Sequence, residues 1–354
     1  MSGGGTGGHL YPGIAVAQEL CRRHPRARIV FAGTGRGVER QTVRASGYEH
    51  VLVRSAGLKG KSLLARIRGI SVFPASAWDA WRIVVGVAPQ LVVGLGGYSA
   101  GAVTMVAACR GIPTLLLEQN ALPGLTNRLL ARIATAAAVS YDMTVEHFRG
   151  KGFVAGNPVR KEFWRTTPQR ASEAGVHLLV LGGSQGAHAI NAAMIAAAPG
   201  LARSACPLMV THQTGARDIQ AVQRAYAEAG VAARVETYLE EMAVAMGEAD
   251  FVVSRAGATT LAELAAVGRG GLLVPLPGAA DGHQSVNAEV LVRAGAAELL
   301  PQEALTGEYM AARILALAGD PARYREMGVA ARGLGRPDAV KVIVDRGEQL
   351  MGYR

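Results

Sequence analysis

The sequence predicts an α/β protein made of two doubly wound parallel sheets, each belonging to a domain of its own. Short apolar runs alternate with helical stretches along the chain, and the alternation starts again after Gly152. Such repeated β–α alternation is typical of parallel sheets covered by helices. A chain of 354 residues is also longer than one core usually supports, so we expect two domains.

Buried parallel strands are predicted where three or more apolar residues follow one another. The predicted strands are residues 28–32, 91–93, 114–117, 178–181, 208–211, 251–253 and 272–274. Helices are predicted over residues 102–108, 125–133 and 338–351. The join falls near Asn157, so we expect domains at 1–157 and 158–337, with residues 338–354 packing back on the first domain.

Cysteine usage and hydropathy set the expected compartment. Cys21, Cys109 and Cys206 are far apart and lack metal-type spacing, which favours a reducing cytoplasm without disulfides. The chain does not start with a basic segment followed by an apolar one, so no signal peptide is expected. The uncharged run 83–109 is long enough to cross a bilayer, but Pro89 and the glycines at 94–97 favour a strand, a loop and a helix.

The net charge of +10 lies in the first half of the chain. Residues 1–160 carry 19 Lys/Arg and 7 Asp/Glu, whereas residues 161–354 carry 18 and 20. The first half is therefore expected to meet an anionic partner. Basic and aromatic side chains are mixed over residues 54–82, which suits an anionic membrane surface; an ordinary amphipathic helix on the sheet is the alternative. These residues include Lys59, Lys61, Arg66, Arg68, Trp78 and Trp81. A nucleic-acid partner is not expected, because no recognition motif accompanies the charge.

Three glycine-rich loops are candidate phosphate sites. They are GGGTGGHLYPG at 3–13, GLGGYSAG at 94–101 and GGSQGA at 182–187, and the second and third follow predicted strands. Bare amides at a helix N-terminus favour an anion. Gly3, Gly5 and Gly8 also fit the dinucleotide pattern G-x-G-x-x-G, but the first acid after the next strand is Glu39. Arg36 there could admit a 2′-phosphate, so a dinucleotide site stays open as an alternative.

The second half carries residues suited to a nucleotide sugar. SRAGATTLAE at 254–263 follows a strand and opens a helix, where Glu263 can accept hydrogen bonds from a ribose diol. Gln284 and Asn287 follow the next strand and can bond sugar hydroxyls. Arg160, in GNPVR at 156–160, can neutralise a diphosphate. A capped helix with a solvated Glu263 and a surface arginine are the plainer explanations.

Seven motifs, taken in their order along the chain, resemble the motifs of glycosyltransferase family 28. They are GGGTGGHLYPG, GLGGYSAG, EQNALPGLTN, GNPVR, GGSQGA, SRAGATTLAE and DGHQSVNA, and they span nearly the whole chain. The resemblance implies the GT-B fold, with two Rossmann-like domains facing a cleft. It also implies inverting transfer of N-acetylglucosamine from UDP-GlcNAc to the C4 hydroxyl of lipid I, which gives lipid II. The enzyme would be peripheral on the cytoplasmic face of the bacterial membrane, with other cell-wall synthesis proteins as partners.

The resemblance also assigns residues to the two substrates. Its donor contacts fall on Thr6, Gly7, Gly8, Asn120, Arg160, Ser184, Leu239 (backbone to uracil), Ala258, Thr259, Thr260, Leu261, Ala262, Glu263 and Gln284. The acceptor diphosphate is expected at Gly4, Gly5, Gly96, Gly97, Tyr98, Ser99 and Asn127.

Histidine suits the base that this chemistry needs, since a reference imidazole is partly unprotonated at neutral pH. His9 is therefore the first candidate for the base, and Glu118 is the second, as a base or as a residue that orients a neighbour. The chain has no Asp-x-Asp pair, which argues against a chelated metal. Mg²⁺ could assist without a protein ligand set, while helix N-termini, Ser184, Thr259, Thr260 and Arg160 would stabilise the leaving UDP.

The chain departs from the family pattern at two places. Only Met1 and Ser2 precede the first glycine loop, so we expect the first sheet to lack its central strand. Ala100 stands where many relatives have serine, which would remove one hydroxyl contact to the acceptor phosphate. Two other functions stay open: a different UDP-sugar enzyme on the same fold, such as a 2-epimerase or a glycolipid transferase, and a non-catalytic UDP-sugar-binding or scaffold protein.

Overall fold

The structure is a computed structural model that describes residues 1–4, 7–35, 38–54, 63–168, 175–183, 185–278 and 282–353. Residues 38, 63–73 and 98 are described by their backbone alone. The chain divides into two compact units, one formed by Met1–Arg160 with Arg336–Arg354 and the other by Lys161–Gly335. We call them unit 1 and unit 2.

Unit 1 contains a parallel sheet in which the described residues form seven strands in the order β3-β2-β1-β4-β5-β6-β7. The strands are β1 (Ser2–Gly3), β2 (Val30–Gly33), β3 (Glu49–Leu52), β4 (Val92–Gly96), β5 (Thr114–Glu118), β6 (Ala136–Val139) and β7 (Gly152–Val154). The helices are α1 (Gly7–Arg23), α2 (Val38–Ala45), α3 (Leu63–Val87), α4 (Tyr98–Cys109), α5 (Leu125–Leu130) and α14 (Ala339–Leu350). A 3₁₀-helix spans Asp142–Phe148.

Unit 2 contains a second parallel sheet, whose described strands follow the order β10-β9-β8-β11-β12-β13. The strands are β8 (Val176–Leu181), β9 (Leu208–Gln213), β10 (Ala232–Glu236), β11 (Phe251–Ser254), β12 (Gly271–Leu273) and β13 (Ala297–Leu299). The helices are α6 (Lys161–Arg165), α7 (His188–Leu201), α8 (Ile219–Ala229), α9 (Met242–Glu248), α10 (Ala258–Val267), α11 (His283–Arg293), α12 (Gly307–Ala318) and α13 (Pro321–Gly333). A 3₁₀-helix spans Gln302–Ala304.

The predicted α/β class with two parallel sheets is confirmed. Each strand predicted from an apolar run is present, with ends shifted by a few residues. The uncharged run 83–109 forms the end of α3, strand β4 and helix α4. Within the described part of the chain, no helix combines the length and the apolar character that a membrane span requires.

The expectation that the first sheet lacks its central strand is wrong. Ser2 pairs with Ala32 of β2 and with Gly94 of β4, so a two-residue strand holds the central position. The amide of Ala32 donates to the Met1 carbonyl at 2.8 Å, and the Met1 ammonium donates to the Val30 carbonyl at 2.8 Å. Two residues are enough because a central strand bonds to a neighbour on each side. Burial lowers the pKa of the Met1 ammonium to about 5.

Helix α14 lies at the end of the chain and packs against α1 in unit 1. Ile343 and Val344 of α14 are buried in the same apolar cluster as Leu10 and Phe31. Arg23, the last residue of α1, forms ion pairs with Asp345 at 2.6 Å and with Glu348 at 2.9 Å, both on α14. Apolar burial and partly buried ion pairs together fix this last helix on unit 1.

A buried hydrogen-bond network links β9 to α7 and α8 in unit 2. His212 is fully buried, with Nε2 3.1 Å from Asn191 Oδ1 and Nδ1 2.9 Å from Tyr226 Oη. The Asn191 amide nitrogen donates to Thr214 O and to Asp218 Oδ2, so Asn191 Oδ1 accepts from His212 Nε2–H. Burial lowers the pKa of His212 to about 3. The ring is therefore neutral in the folded protein.

We expect the free energy of unfolding to fall as the pH drops below 6.5. In this range the unfolded chain binds a proton at residue 212, whereas the folded chain stays neutral there. His212 alone therefore lowers the free energy of unfolding by an amount that approaches about 1.4 kcal/mol per pH unit. Urea unfolding at several pH values measures this slope. In the His212→Gln variant, the contribution of this one group to the slope of free energy against pH should disappear. The His147→Gln variant, at an exposed histidine, should keep the wild-type slope. An unchanged slope in His212→Gln would contradict the assignment.

Candidate functional site

The first glycine loop leaves β1 and leads into helix α1. Gly3 and Gly4 have φ values of +117° and +152°, in the region that favours glycine. A Cβ on Gly3 would lie 2.5 Å from Gly96 O, and a Cβ on Gly4 would lie 2.9 Å from Glu39 Cδ. The loop thus presents bare backbone before the N-terminus of α1, which favours an anion. Gly5 and Thr6 lie outside the described residues.

The second glycine loop lies beside the first. Gly96 and Gly97 have φ values of +99° and +77°, and Gly97 is the N-cap residue of α4. A Cβ on Gly97 would lie 3.4 Å from Gly4 O, so the structure brings Gly4, Gly96 and Gly97 together. Ser99 is buried in the first turn of α4, and the Tyr98 side chain lies outside the described part of the chain.

The sheet order explains why these loops meet. They follow β1 and β4, which are neighbours at the point where the strand order reverses. In open α/β sheets the loops at this point diverge to opposite faces and leave a crevice for a ligand at the carboxyl ends of the strands. The same reversal occurs in unit 2 between β8 and β11.

His9 lies in the first turn of α1, against the second glycine loop. Its Nδ1 is 3.0 Å from Gln119 Oε1. A Cβ on Gly96 would come within 2.9 Å of the same nitrogen, so the glycine makes room for the imidazole. His9 is half-buried. The structure therefore places the predicted base next to Gly96, which is assigned to the acceptor diphosphate.

Glu118 is the last residue of β5 and is buried beneath the loop that follows. Its Oε1 accepts from the backbone amide and the side-chain amide of Asn120 at 3.0 and 3.1 Å. Its Oε2 accepts from the Gly124 amide at 3.0 Å and from Asn127 Nδ2 at 2.9 Å. With four donors around the carboxylate, the geometry favours the role that orients neighbours over the role of base.

Arg160 lies over the side of α1 that carries Tyr11. The guanidinium carbon is 5.0 Å from the centre of the Tyr11 ring, within the range of a cation–π interaction. Tyr11 in turn lies below Gly7, where a Cβ would be 3.1 Å from the ring. Three of the residues assigned to the donor, Gly7, Gly8 and Arg160, therefore lie near the first turns of α1.

In unit 2, the glycine loop after β8 fits closely against the loop after β9. Gly183 and Gly186 have φ values of +80° and +74°. A Cβ on Gly186 would overlap the Thr214 carbonyl, and a Cβ on Gly215 would meet the Gln185 carbonyl. Only glycine permits this approach of two backbones. Ser184, the predicted phosphate contact in this loop, lies outside the described residues.

Gln213, the last residue of β9, joins two loops that sequence reasoning assigns to the donor. Its Nε2 donates to Gly183 O at 2.9 Å, and its Oε1 accepts from the Leu239 amide at 3.0 Å. Gln213 is buried. Because the Leu239 amide is already bonded, a backbone contact from Leu239 to uracil would use its carbonyl. Gln213 was missed because nothing in its local sequence marks it.

The segment 258–263 forms the N-terminal turns of α10, directly after β11. Ala258 and Leu261 are buried in the unit. Thr259, Thr260, Ala262 and Glu263 are half-buried. The segment therefore places a helix N-terminus, two threonines and a glutamate at the carboxyl edge of the sheet, where the sequence predicts a nucleotide site.

The loop after β12 is tied back to its neighbours by polar side chains. Gln284 accepts from the Leu276 amide at 2.9 Å. Arg255 donates to the carbonyls of Val274 and Pro275, and burial lowers its pKa. Asn287 is fully buried and donates to Ala256 O at 3.3 Å. The Asn287 amide lies inside the unit, which favours support of the loop over a hydrogen bond to a sugar hydroxyl.

Glu39, the acid weighed for a dinucleotide ribose, lies under the first glycine loop. Its carboxylate is 3.1 Å from His50 Nε2 and accepts from Thr34 Oγ1 at 3.1 Å. The carboxylate fills the space beside Gly33 and Gly4, where a Cβ would collide with it. Since Glu39 is buried, this position favours support of the loop over contact with a ribose.

The aromatic residues predicted for a membrane surface lie on α3. The rings of Trp78 and Trp81 stack with centroids 5.3 Å apart and are 57% and 43% exposed. Lys59 and Lys61 and the side chains of Arg66 and Arg68 lie outside the described part of the chain.

The described part of the chain contains no group of three or more His, Cys, Asp or Glu side chains that could hold a metal ion.

Two parallel-sheet units with glycine loops at each reversal of strand order define a GT-B protein. The sequence profile of the glycosyltransferase family 28 N-terminal domain matches residues 1–139. The profile of the glycosyltransferase family 28 C-terminal domain matches residues 177–343. The chain belongs to glycosyltransferase family 28.

Curated relatives cover almost the whole chain. A UDP-N-acetylglucosamine–N-acetylmuramyl-(pentapeptide) pyrophosphoryl-undecaprenol N-acetylglucosamine transferase from Anaeromyxobacter dehalogenans (strain 2CP-C) is 44% identical over 98% of this chain and 91% of its own length. The protein of the same name from Myxococcus xanthus (strain DK1622) is 42% identical over the same shares.

Solved structures agree with the fold. The crystal structure of MurG from Acinetobacter baumannii matches with a TM-score of 0.80 and 29% identity, over 98% of each chain. A UDP-GlcNAc 2-epimerase from Neisseria meningitidis matches with a TM-score of 0.65 and 13% identity, over 97% of each chain. An identity as low as the second shows the shared fold alone.

We expect Glu118→Gln to destabilise unit 1. The amide keeps one acceptor oxygen but turns its NH₂ group toward amide donors, and each buried donor left without an acceptor costs about 1–3 kcal/mol. Urea unfolding measures the loss, and Glu146→Gln, at an exposed glutamate, should stay within about 0.5 kcal/mol of wild type. A fully stable Glu118→Gln variant would show that the carboxylate does not organise the loop.

Proposed function

We propose that this protein transfers N-acetylglucosamine from UDP-GlcNAc to the C4 hydroxyl of the muramyl sugar of lipid I, undecaprenyl-pyrophosphoryl-MurNAc-pentapeptide. The product is lipid II, the precursor used in peptidoglycan synthesis. The observation that carries the proposal is the near full-length identity of up to 44% to transferases named for this reaction. The paired glycine loops in each unit agree with a reaction whose two substrates both carry a diphosphate.

Unit 2 holds UDP-GlcNAc in this proposal. The glycine loop at 182–187, with Ser184, and the N-terminus of α10 with Thr259 and Thr260 receive the diphosphate. Glu263 accepts hydrogen bonds from the ribose diol, the Leu239 backbone contacts uracil and Gln284 contacts the sugar. The charge that develops on the departing UDP is offset by these amides and by Arg160.

In this proposal the glycine loops with Gly4, Gly5, Gly96 and Gly97 receive the lipid diphosphate in unit 1, and Tyr98, Ser99 and Asn127 are further contacts to it. His9 removes the proton from the C4 hydroxyl as that oxygen attacks the anomeric carbon of GlcNAc. The bond from this carbon to the UDP oxygen breaks on the opposite face, so the configuration inverts. UDP leaves as an anion that is stabilised by hydrogen bonds from the amides and by Arg160.

The decisive experiment measures radiolabel from UDP-[¹⁴C]GlcNAc in a soluble lipid I analogue. We expect label in the analogue and stoichiometric UDP release only when the acceptor is present. Conversion of the free nucleotide sugar without acceptor would instead indicate another UDP-sugar enzyme, such as a 2-epimerase. Donor binding without any turnover would indicate a binding protein.

We expect His9→Ala to lower turnover by a factor of about 10²–10⁴, the usual contribution of a general base. UDP affinity, measured by titration calorimetry, should stay nearly intact because the variant keeps the backbone of α1. His147→Ala, at an exposed histidine of unit 1, serves as the control. Near wild-type turnover in His9→Ala would remove His9 as the base.

Peripheral membrane association follows from the lipid acceptor, and α3 is the surface that we propose for it, on the cytoplasmic side. The exposed Trp78 and Trp81 suit the interfacial region of a bilayer, and basic residues near them would attract anionic lipid at roughly 1 kcal/mol each.

We expect sedimentation with anionic vesicles that weakens as salt is added. The double variant Trp78→Ser and Trp81→Ser should bind several-fold less, since it loses apolar area for insertion. Val329→Ser removes an exposed apolar side chain of unit 2 and should bind like wild type. Equal sedimentation of the double variant and wild type would contradict this surface.

A further inference from the structure

Gln119 is buried between strand β4 and His9, a position that the proposed reaction does not yet use. It follows Glu118 directly, yet its side chain makes different contacts. Its Nε2 donates to the Leu95 carbonyl at 3.3 Å, and its Oε1 lies 3.0 Å from His9 Nδ1. Gln119 is 3% exposed, so the protein supplies the surroundings of this amide.

The contact with Leu95 fixes which end of the amide faces His9. A backbone carbonyl can only accept a hydrogen bond, so the amide nitrogen must point toward Leu95. Leu95 is a fully buried residue of β4 and holds its carbonyl in place. The amide oxygen is consequently the end that meets the imidazole.

The orientation of Gln119 in turn fixes the tautomer of His9. An amide oxygen can only accept, so His9 Nδ1 must carry the proton in this contact. In a neutral ring, Nε2 then holds the lone pair that can take a proton. A base oriented in this way by a third group is a recurring arrangement in enzymes that activate a hydroxyl.

We propose that Gln119 is a positioning residue that keeps neutral His9 in the Nδ1–H tautomer, with Nε2 as the basic nitrogen. The proposal rests on the proposed function insofar as it makes His9 the base for the acceptor hydroxyl. It also explains the use of a neutral amide. A carboxylate at residue 119 could also accept from Nδ1–H, but it would lose the donor to the Leu95 carbonyl and would place a negative charge beside Gly96 and the loops that receive a diphosphate.

The tautomer can be measured without any substrate. Long-range ¹H–¹⁵N spectra of protein labelled at histidine, recorded about two pH units above the ordinary value for imidazole, distinguish the two ring nitrogens. The His9 signals are those that disappear in His9→Ala. We expect a protonated Nδ1 and an unprotonated Nε2 in wild type and in Gln119→Glu. In Gln119→Met, which has similar volume but no acceptor oxygen, this preference should be lost.

Steady-state kinetics supply the second readout. Gln119→Met should lower kcat by about 10- to 100-fold while the KM for UDP-GlcNAc changes less than about twofold. Gln119→Glu keeps an acceptor for Nδ1–H and should recover part of kcat, but with a raised KM for the lipid acceptor because of its added charge. Gln90→Met, at an exposed residue of unit 1, should match wild type in every readout.

The outcomes separate this proposal from the proposed function. A wild-type His9 with its proton on Nε2, or an identical tautomer in Gln119→Met, would overturn the role of Gln119 whatever the enzyme does. If wild type transfers no sugar but shows the Nδ1–H tautomer lost in Gln119→Met, the proposed function fails and the positioning by Gln119 stands.

Discussion

The close approach of backbone to backbone at the carboxyl edge of each sheet is the constraint on which the rest of the structure depends. In unit 1, β1 and β4 are adjacent, and Gly3 comes so near Gly96 that a Cβ would lie 2.5 Å from its carbonyl oxygen. In unit 2, Gly186 and Gly215 allow the loops after β8 and β9 to touch. Side chains are excluded from these places, so amides and helix N-termini are what a ligand meets there.

Buried and half-buried polar side chains of the protein itself hold these loops in position. Glu118 gathers four donors from the loop after β5. Gln213 joins the loops at Gly183 and Leu239, and Arg255 bonds the carbonyls that follow β12. Burying a polar group costs free energy unless the group is hydrogen-bonded. The hydrogen bonds of these side chains therefore fix their own positions and the positions of the loops that they contact.

Much of the fold was predictable because it depends on local patterns. Apolar runs such as 178–181 and 251–253 marked the central strands, which are buried on both faces. The strands that were missed lack this signal: β10 has exposed and half-buried residues, and β6 consists mostly of alanine. The two-residue β1 was missed for a different reason. Its stability comes from pairing on both sides with β2 and β4, which the sequence around Ser2 does not display.

The sequence by itself determined the alternation of strands and helices, the positions of the glycine loops and the family resemblance. Each of these depends only on residues that are close together in the sequence. Only the tertiary structure decided which polar side chains are placed for contact with a ligand and which hold a loop through hydrogen bonds within the protein. Asn287 and Glu118 both stood in motifs suited to ligand contact, yet their side chains bond the protein itself. The partners of Gln119 lie 24 and 110 residues away along the chain. Hydrogen bonds of that range depend on how strands are ordered in a sheet, and no local pattern encodes that order.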